Sequence, residues 1–175
     1  MVIIITGALG VGKTEVCRKL IEVVRKQGHT CGGILTYKSA DKSLVIEDIQ
    51  TGERETLASI NDIFHGPRTP KYFFNLAGID FGLRAISTAS STILLVDELG
   101  HLELRGEGFA QVLGLIQTGK FKVYVLVIRG GLLSDFLPKL PPERLIFEVT
   151  IDNRDKLPRE IGSTLAHRLY GERSD

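Results

Sequence analysis

The chain of 175 residues contains two cysteines, one methionine and no tryptophan. Cys17 and Cys31 do not form a C-x-x-C pair, so neither a disulfide framework nor a cysteine-rich zinc site is expected, and both read as reduced thiols. The four histidines, His29, His65, His101 and His167, are scattered, make no metal set and are assigned to surface or core. Net charge is almost lacking as well. Twenty-two basic against 21 acidic side chains leave +1, too weak a field to mark a nucleic-acid or membrane-surface protein. No apolar run is long enough to span a membrane, and Met1-Val2-Ile3-Ile4-Ile5 has no basic segment before its short apolar stretch, so a soluble cytoplasmic protein is expected. Repeats and low-complexity tracts are missing too.

What the chain does have is enough apolar residue, 43%, to bury one substantial core, which predicts a single domain over 1–175. Its most informative stretch follows the apolar run Val2-Ile3-Ile4-Ile5-Thr6. It reads Gly7-Ala8-Leu9-Gly10-Val11-Gly12-Lys13-Thr14, a Gly-x4-Gly-Lys-Thr string between a strand pattern and a helix pattern. Glycines let the backbone approach an anion with no Cβ in the way and turn successive N–H groups inward. Lys13 is placed to reach β- and γ-phosphates, the Thr14 hydroxyl to ligate Mg²⁺, and the helix that starts near Lys13 adds the positive end of its dipole. The stretch therefore predicts binding of a polyphosphate with Mg²⁺.

Glu15 to Lys26 places Val16, Leu20, Val23 and Val24 near one face, with Gly28 as a stop, and predicts the helix after the loop. Gly33 to Tyr37 reads as a strand. Leu44 to Ile49 and Arg54 to Leu57, around Thr51-Gly52-Glu53, read as a hairpin. Gly66 to Pro70 is a loop, and Asn75 to Ala89 a helix weakened by Gly78 and Gly82. Phe109 to Gln117 reads as an amphipathic helix, Lys122 to Ile128 and Arg144 to Val149 as strands, and Pro158 opens a closing helix through Leu169. The alternation predicts a mainly parallel α/β sheet with helices on both faces and a short antiparallel excursion, RecA-like rather than adenylate-kinase-like.

Thr92-Ile93-Leu94-Leu95-Val96-Asp97-Glu98 is an apolar strand ending in two carboxylates. If this strand lies beside the loop strand, both end at the edge where ligands bind, with Asp97 near Thr14 to hold Mg²⁺. Glu98 points elsewhere and is assigned to orienting or deprotonating an attacking water. The connection from Arg129-Gly130-Gly131 to Pro141-Pro142 reads either as a segment that closes over phosphates, with Arg129 at a γ-phosphate, or as a plain surface link. Asn153 and Arg154, after the last strand, are candidates for contacts to the base.

These stretches, with Gly33-Ile34-Leu35-Thr36, Thr51-Gly52-Glu53-Arg54 and Asn153-Arg154-Asp155, occur in the order seen in the THEP-type nucleoside triphosphatases, which the chain resembles over nearly its whole length. Asp97-Glu98-Leu99-Gly100-His101-Leu102-Glu103-Leu104 is similar to that family's Asp-Glu-Ile-Gly-Lys-Met-Glu-Leu. The resemblance implies a RecA-like P-loop fold and slow, Mg²⁺-dependent hydrolysis of ATP, GTP and other nucleoside triphosphates with broad base tolerance. By the same resemblance Gly7 to Thr14 hold phosphates, Asp97 the metal and Glu98 the water, while Leu94 to His101 border the nucleotide. His101 and Leu102 stand where the family has Lys-Met, and Thr36-Tyr37-Lys38 lacks the acidic and basic residues that follow the threonine there. Two other readings accompany hydrolysis: a small-molecule or nucleoside kinase, and a nucleotide-dependent switch or assembly factor. No Asn-Lys-x-Asp guanine signature is present, so no base preference is assigned, and no protein partner or specific nucleic acid is implied.

Overall fold

A computed structural model describes residues 1–171, so the last four positions of the expected domain lie outside the described residues. Eight strands form one sheet: β1 (Val2–Gly7), β2 (Cys31–Lys38), β3 (Leu44–Asp48), β4 (Arg54–Ser59), β5 (Phe73–Phe74), β6 (Ile93–Leu99), β7 (Val123–Ile128) and β8 (Arg144–Val149). Their order is β5-β4-β3-β2-β6-β7-β1-β8. The strands from β2 through β6, β7 and β1 to β8 pair in parallel, and β2, β3, β4 and β5 pair antiparallel. The division follows the sequence. β1 from Val2 to Ile5 and β7 throughout are apolar and buried on both faces, as central parallel strands require, whereas β3 is fully buried only at Ile46.

Helices α1 (Lys13–Lys26), α2 (Leu76–Thr88), α3 (His101–Leu104), α4 (Val112–Thr118), α5 (Leu133–Phe136) and α6 (Leu157–Gly171) cover both faces. One apolar layer joins Ile3, Ile5, Val125 and Val127 of the sheet to Val16, Leu20 and Val24 of α1 and to Ile161 and Leu165 of α6. The other joins Ile4, Val96, Leu126 and Ile128 to Ile86, Val112 and Phe136. Each fully buried aliphatic or aromatic side chain contributes about 1.5–3 kcal/mol of transfer free energy, so the two layers hold the sheet from both sides.

Four differences from the sequence reading have physical causes. The loop strand and the carboxylate strand are not neighbours: β7 lies between β1 and β6. That insertion is the RecA-like feature, and it comes from a strand contributed late in the chain. The antiparallel part is larger than one hairpin, because β5 adds to β4 through Ala58 opposite Phe74. The glycines of α2 are contact points. A Cβ on Gly78 would stand 2.3 Å from the Thr56 carbonyl oxygen, and one on Gly82 2.5 Å from Ile46 Cδ1, so their absence lets α2 lie against β3 and β4. The 129–142 connection is neither open lid nor bare link. Short helical turns at Gly130–Leu132 and Leu137–Lys139 flank α5, and Phe136 is fully buried in the core.

Candidate active site

The carboxyl end of β1 runs directly into the loop. Gly7 has φ 146° and Gly12 φ 106°, in the region where side chains are strained. A Cβ on Gly7 would also lie 2.6 Å from the Val149 carbonyl oxygen of β8. Glycine is thus required at the entry for packing as well as for conformation. Gly12 is the N-cap of α1 and offers no side chain, so no side-chain hydrogen bond caps the first turn of the helix. Such a terminus presents backbone N–H groups and the positive end of the helix dipole to an anion. Lys13 is 6% exposed, and its Nζ donates to the carbonyl oxygens of Gly7 at 3.1 Å and Ala8 at 2.8 Å, which folds the ammonium over the loop.

Asp97 reaches this loop from β6 across the width of β7. The Thr14 hydroxyl donates to Asp97 Oδ2 at 2.7 Å and lies 3.3 Å from the Thr36 carbonyl oxygen. The Thr36 hydroxyl in turn donates to the Asp97 carbonyl oxygen at 2.7 Å, tying the ends of β2 and β6 together. Burial pushes the Asp97 carboxyl up to about 7, against the Thr14 hydrogen bond that lowers it, and the neighbouring Glu98 charge adds to the rise. A cation at this position reverses that balance, because it favours the ionised carboxylate. Hydroxyl and carboxylate oxygens side by side are a hard-oxygen pair of the type that holds Mg²⁺ when phosphate and water supply the remaining ligands. Among the described residues no cluster of three or more His, Cys, Asp or Glu gathers that could hold a metal ion.

Glu98 diverges from Asp97, and the peptide between them is cis. Its Oε1 accepts a hydrogen bond from Arg129 Nε at 2.5 Å, an ion pair between side chains 24% and 36% exposed. Arg129 thus meets a carboxylate at the end of β7. Below this pair, Glu103 of α3 is buried, and its Oε2 accepts from the Gly100 amide at 2.7 Å and its Oε1 from the Phe109 amide at 3.0 Å. It joins the turn after β6 to the approach to α4. Burial raises the Glu103 carboxyl above the usual carboxylate range, and the two amides pull it back only in part.

Lys13, Thr14, Asp97, Glu98 and Arg129 all line one cavity of about 670 Å³, together with Leu9, Gly10, Gly12 and Thr36. Ala8 and Val11 belong to the same loop. Asn153 and Arg154 do not line that cavity. Asn153 closes the turn after β8: its Oδ1 accepts from the Thr150 amide at 2.9 Å and its Nδ2 donates to the Glu148 carbonyl at 2.8 Å. Arg154 lies along the other side of the loop, with its Cδ 3.5 Å from where a Gly12 Cβ would stand. Thr36 and Glu103 received no role from the sequence reading. The one available signal for Thr36 was a hydroxyl at the end of a strand that pairs with the Asp97 strand. The aromatic far wall of the cavity, from Tyr72, Phe74 and Phe109, left no local signal at all.

Comparison with known proteins agrees with this geometry. A family described as NTPase matches residues 2–162. The nucleoside-triphosphatase THEP1 of Methanocaldococcus jannaschii is 30% identical over 169 residues, which cover 92% of this chain and 95% of that protein. The protein of the same name from Methanosarcina barkeri is 29% identical over 168 residues, 92% of this chain and 95% of the relative. Among solved structures, THEP1 from the hyperthermophile Aquifex aeolicus superposes with a TM-score of 0.70 at 22% identity, covering 94% of this chain and 99% of that one. A human cancer-related nucleoside triphosphatase superposes with a TM-score of 0.72 at 22% identity, covering 93% and 96%. These two likenesses show that the fold is shared with those structures. With a phosphate-type loop, an acidic pair opposite it and a match over nearly all its length, the chain belongs to the THEP-type nucleoside triphosphatase family.

Proposed function

We propose that the protein hydrolyses the β–γ anhydride of ATP, GTP and other nucleoside triphosphates with Mg²⁺, slowly and with broad base tolerance, in the cytoplasm. The observation that carries this is the convergence of Lys13, the Thr14–Asp97 pair and Glu98 on one cavity, although they come from separate elements. Loop amides and the Lys13 ammonium stabilise charge that builds on the transferring group. Thr14 and Asp97 are the residues that would hold Mg²⁺, which when bound neutralises phosphate charge. Glu98 orients a water for attack on the γ-phosphorus and takes its proton.

Two features of the structure support this reading of slow turnover and base tolerance. Arg129, the arginine that lines the cavity, is engaged by Glu98 rather than presented to a phosphate, and an arginine on the transferring group is worth about 10³–10⁵ in rate. The Asn153 amide is committed to its own turn, so it offers no distinctive pattern by which a base is chosen. Two buried free cysteines suit a reducing compartment, and among the described residues no helix is long and apolar enough to cross a membrane.

The test is phosphate release from ATP, GTP, CTP and UTP by wild type and Glu98→Gln in parallel. The expected result is release from all four by wild type, with a loss of about 10²–10⁴ in Glu98→Gln and unchanged nucleotide binding. Equal release by the variant removes Glu98 from its assigned role.

A further inference from the structure

The cavity does not end at the residues that hydrolysis requires. Asp97 and Glu98 lie at the end of β6, on one side of β1, whereas β8 and Arg154 lie on the other. A triphosphate on the loop therefore points its γ end toward β6, and its nucleoside trails away toward β8. Past Glu98 the cavity continues over the ends of β2, β3 and β4 to the segment before α2. Its walls there are apolar at Leu44, Leu57, Tyr72, Phe74, Leu102 and Phe109 and polar at Lys38, Lys71 and His101. Leu57, Tyr72, Leu102 and Phe109 are buried and belong to the folded core, so the wall is built rather than improvised by mobile side chains. A triphosphate laid along the loop in that direction would put this region beyond its γ-phosphate, on the side from which an attacking group approaches in line with the leaving oxygen.

An attacking water has no use for six apolar or aromatic walls, and these walls belong to the same cavity of about 670 Å³ that the loop lines, a size that encloses small organic ligands. We propose that this extension is an acceptor subsite for a nucleoside, and that a nucleoside bound there receives the γ-phosphoryl group in place of water. The proposal rests on the reading of the loop as a triphosphate site. The planar base packs against the part-exposed Phe74 ring, on a wall that the buried Tyr72 and Phe109 share. The sugar is left at the polar end of the cleft, beside Glu98. In the transfer, a sugar hydroxyl oxygen bonds to the γ-phosphorus while the bond from that phosphorus to the β–γ bridging oxygen breaks. The bridging oxygen leaves with the electron pair on the nucleoside diphosphate, and the hydroxyl proton passes to the Glu98 carboxylate and on to solvent. The products are a nucleoside diphosphate and a nucleoside monophosphate.

The test incubates the full chain with γ-labelled ATP, Mg²⁺ and, in separate reactions, adenosine, guanosine, cytidine, uridine or thymidine, and follows label into monophosphate and into inorganic phosphate. The expected result is labelled monophosphate with at least one nucleoside, and a rise in melting temperature when that nucleoside is added without nucleotide. Leu44→Trp, which places an indole in the cleft, is expected to lose both the labelled monophosphate and the nucleoside-induced shift. If Leu44→Trp does not fold, as read from its own melting curve, Phe74→Ala removes a ring from the wall and carries the same expectation. Label found only in inorganic phosphate, with no melting shift for any nucleoside, overturns the subsite and leaves hydrolysis standing. Label retained entirely on ATP in every reaction overturns the subsite and the hydrolytic reading together. Transfer that survives both substitutions puts the acceptor elsewhere and also overturns the proposal.

Discussion

Lys13 lies at the centre of the loop it serves, with its ammonium bonded to two of the loop's own carbonyls. Those bonds place the charge where phosphate oxygens arrive, and Lys13→Ala removes both the charge and the hydrogen bonds. The expected outcome is a fall in kcat/KM of about 10² or more, read by steady-state phosphate release. Arg129 works through another residue. Its pairing with Glu98 restricts where that carboxylate points, so Arg129→Ala is expected to lower kcat by up to about 10²-fold with a smaller change in KM, because a misplaced water-orienting group is costly even at 1 Å. Arg129→Lys keeps the charge without the planar fork and is expected to recover part of the loss. A kcat unaffected by Arg129→Ala separates the ion pair from catalysis.

Among the elements, α3 is only four residues long and has a large duty. Glu103 satisfies two buried amides on either side of it. Glu103→Ala leaves two buried donors without a partner, at about 1–3 kcal/mol each, and a lower denaturant midpoint checks it. The carboxyl also titrates in a defined direction. Its folded value is raised by burial, so its contribution to stability is full below the unfolded value near 4.3 and is lost as pH rises through the raised one. Wild type is therefore expected to gain melting temperature relative to Glu103→Gln as pH is lowered through the raised value toward the unfolded one. A difference flat across that range argues against the buried carboxyl as the titrating group. On the same scale, Phe136 of α5 is fully buried, and Phe136→Ala is expected to cost about 3–5 kcal/mol.

Elements also show what local sequence can carry. The phosphate-type loop was legible because its glycines, its lysine and its threonine fall within one run of eight positions, where backbone geometry and chemistry are set together. The hairpin was legible through Thr51-Gly52-Glu53, where the turn residues are local. β5 was not, since a strand of two residues has no period of its own and is defined by its pairing with Ala58 and Ser59. The bounds of α2 survived its two glycines because propensity is a weak prior that packing overrides. The likeness of the 129–142 segment to a loop came from its glycines and prolines, while the anchoring of Phe136 is a tertiary fact. Placing the loop strand next to the carboxylate strand failed for a related reason. Neighbours in a parallel sheet are chosen by crossover connections, and no residue of β1 or β6 names β7 as the strand between them.

At the scale of the whole molecule, two apolar layers clamp the sheet while the site spans it. Nothing else in the site joins loop to carboxylate as closely as the 2.7 Å contact of Thr14 with Asp97, 83 positions apart in the chain. A ligand that grips both ends should therefore stabilise the native state as a unit. Nucleoside triphosphate with Mg²⁺ at 100 times its dissociation constant is expected to add about 2.7 kcal/mol, seen as a higher melting temperature that EDTA reverses in large part. A shift equal with and without EDTA argues against Thr14 and Asp97 as a metal pair.

The insertion of β7 also sets a schedule. The loop is complete at residue 14 and both carboxylates at residue 98, yet the strand that spaces β1 from β6 spans Val123–Ile128. A nascent chain halted before residue 123 already carries every side chain of the hydrolytic proposal except Arg129, and has no strand to set them apart at the right width. Most of the chemistry is thus encoded before the strand that spaces it, and the native width is set only when β7 pairs with β6 on one side and β1 on the other.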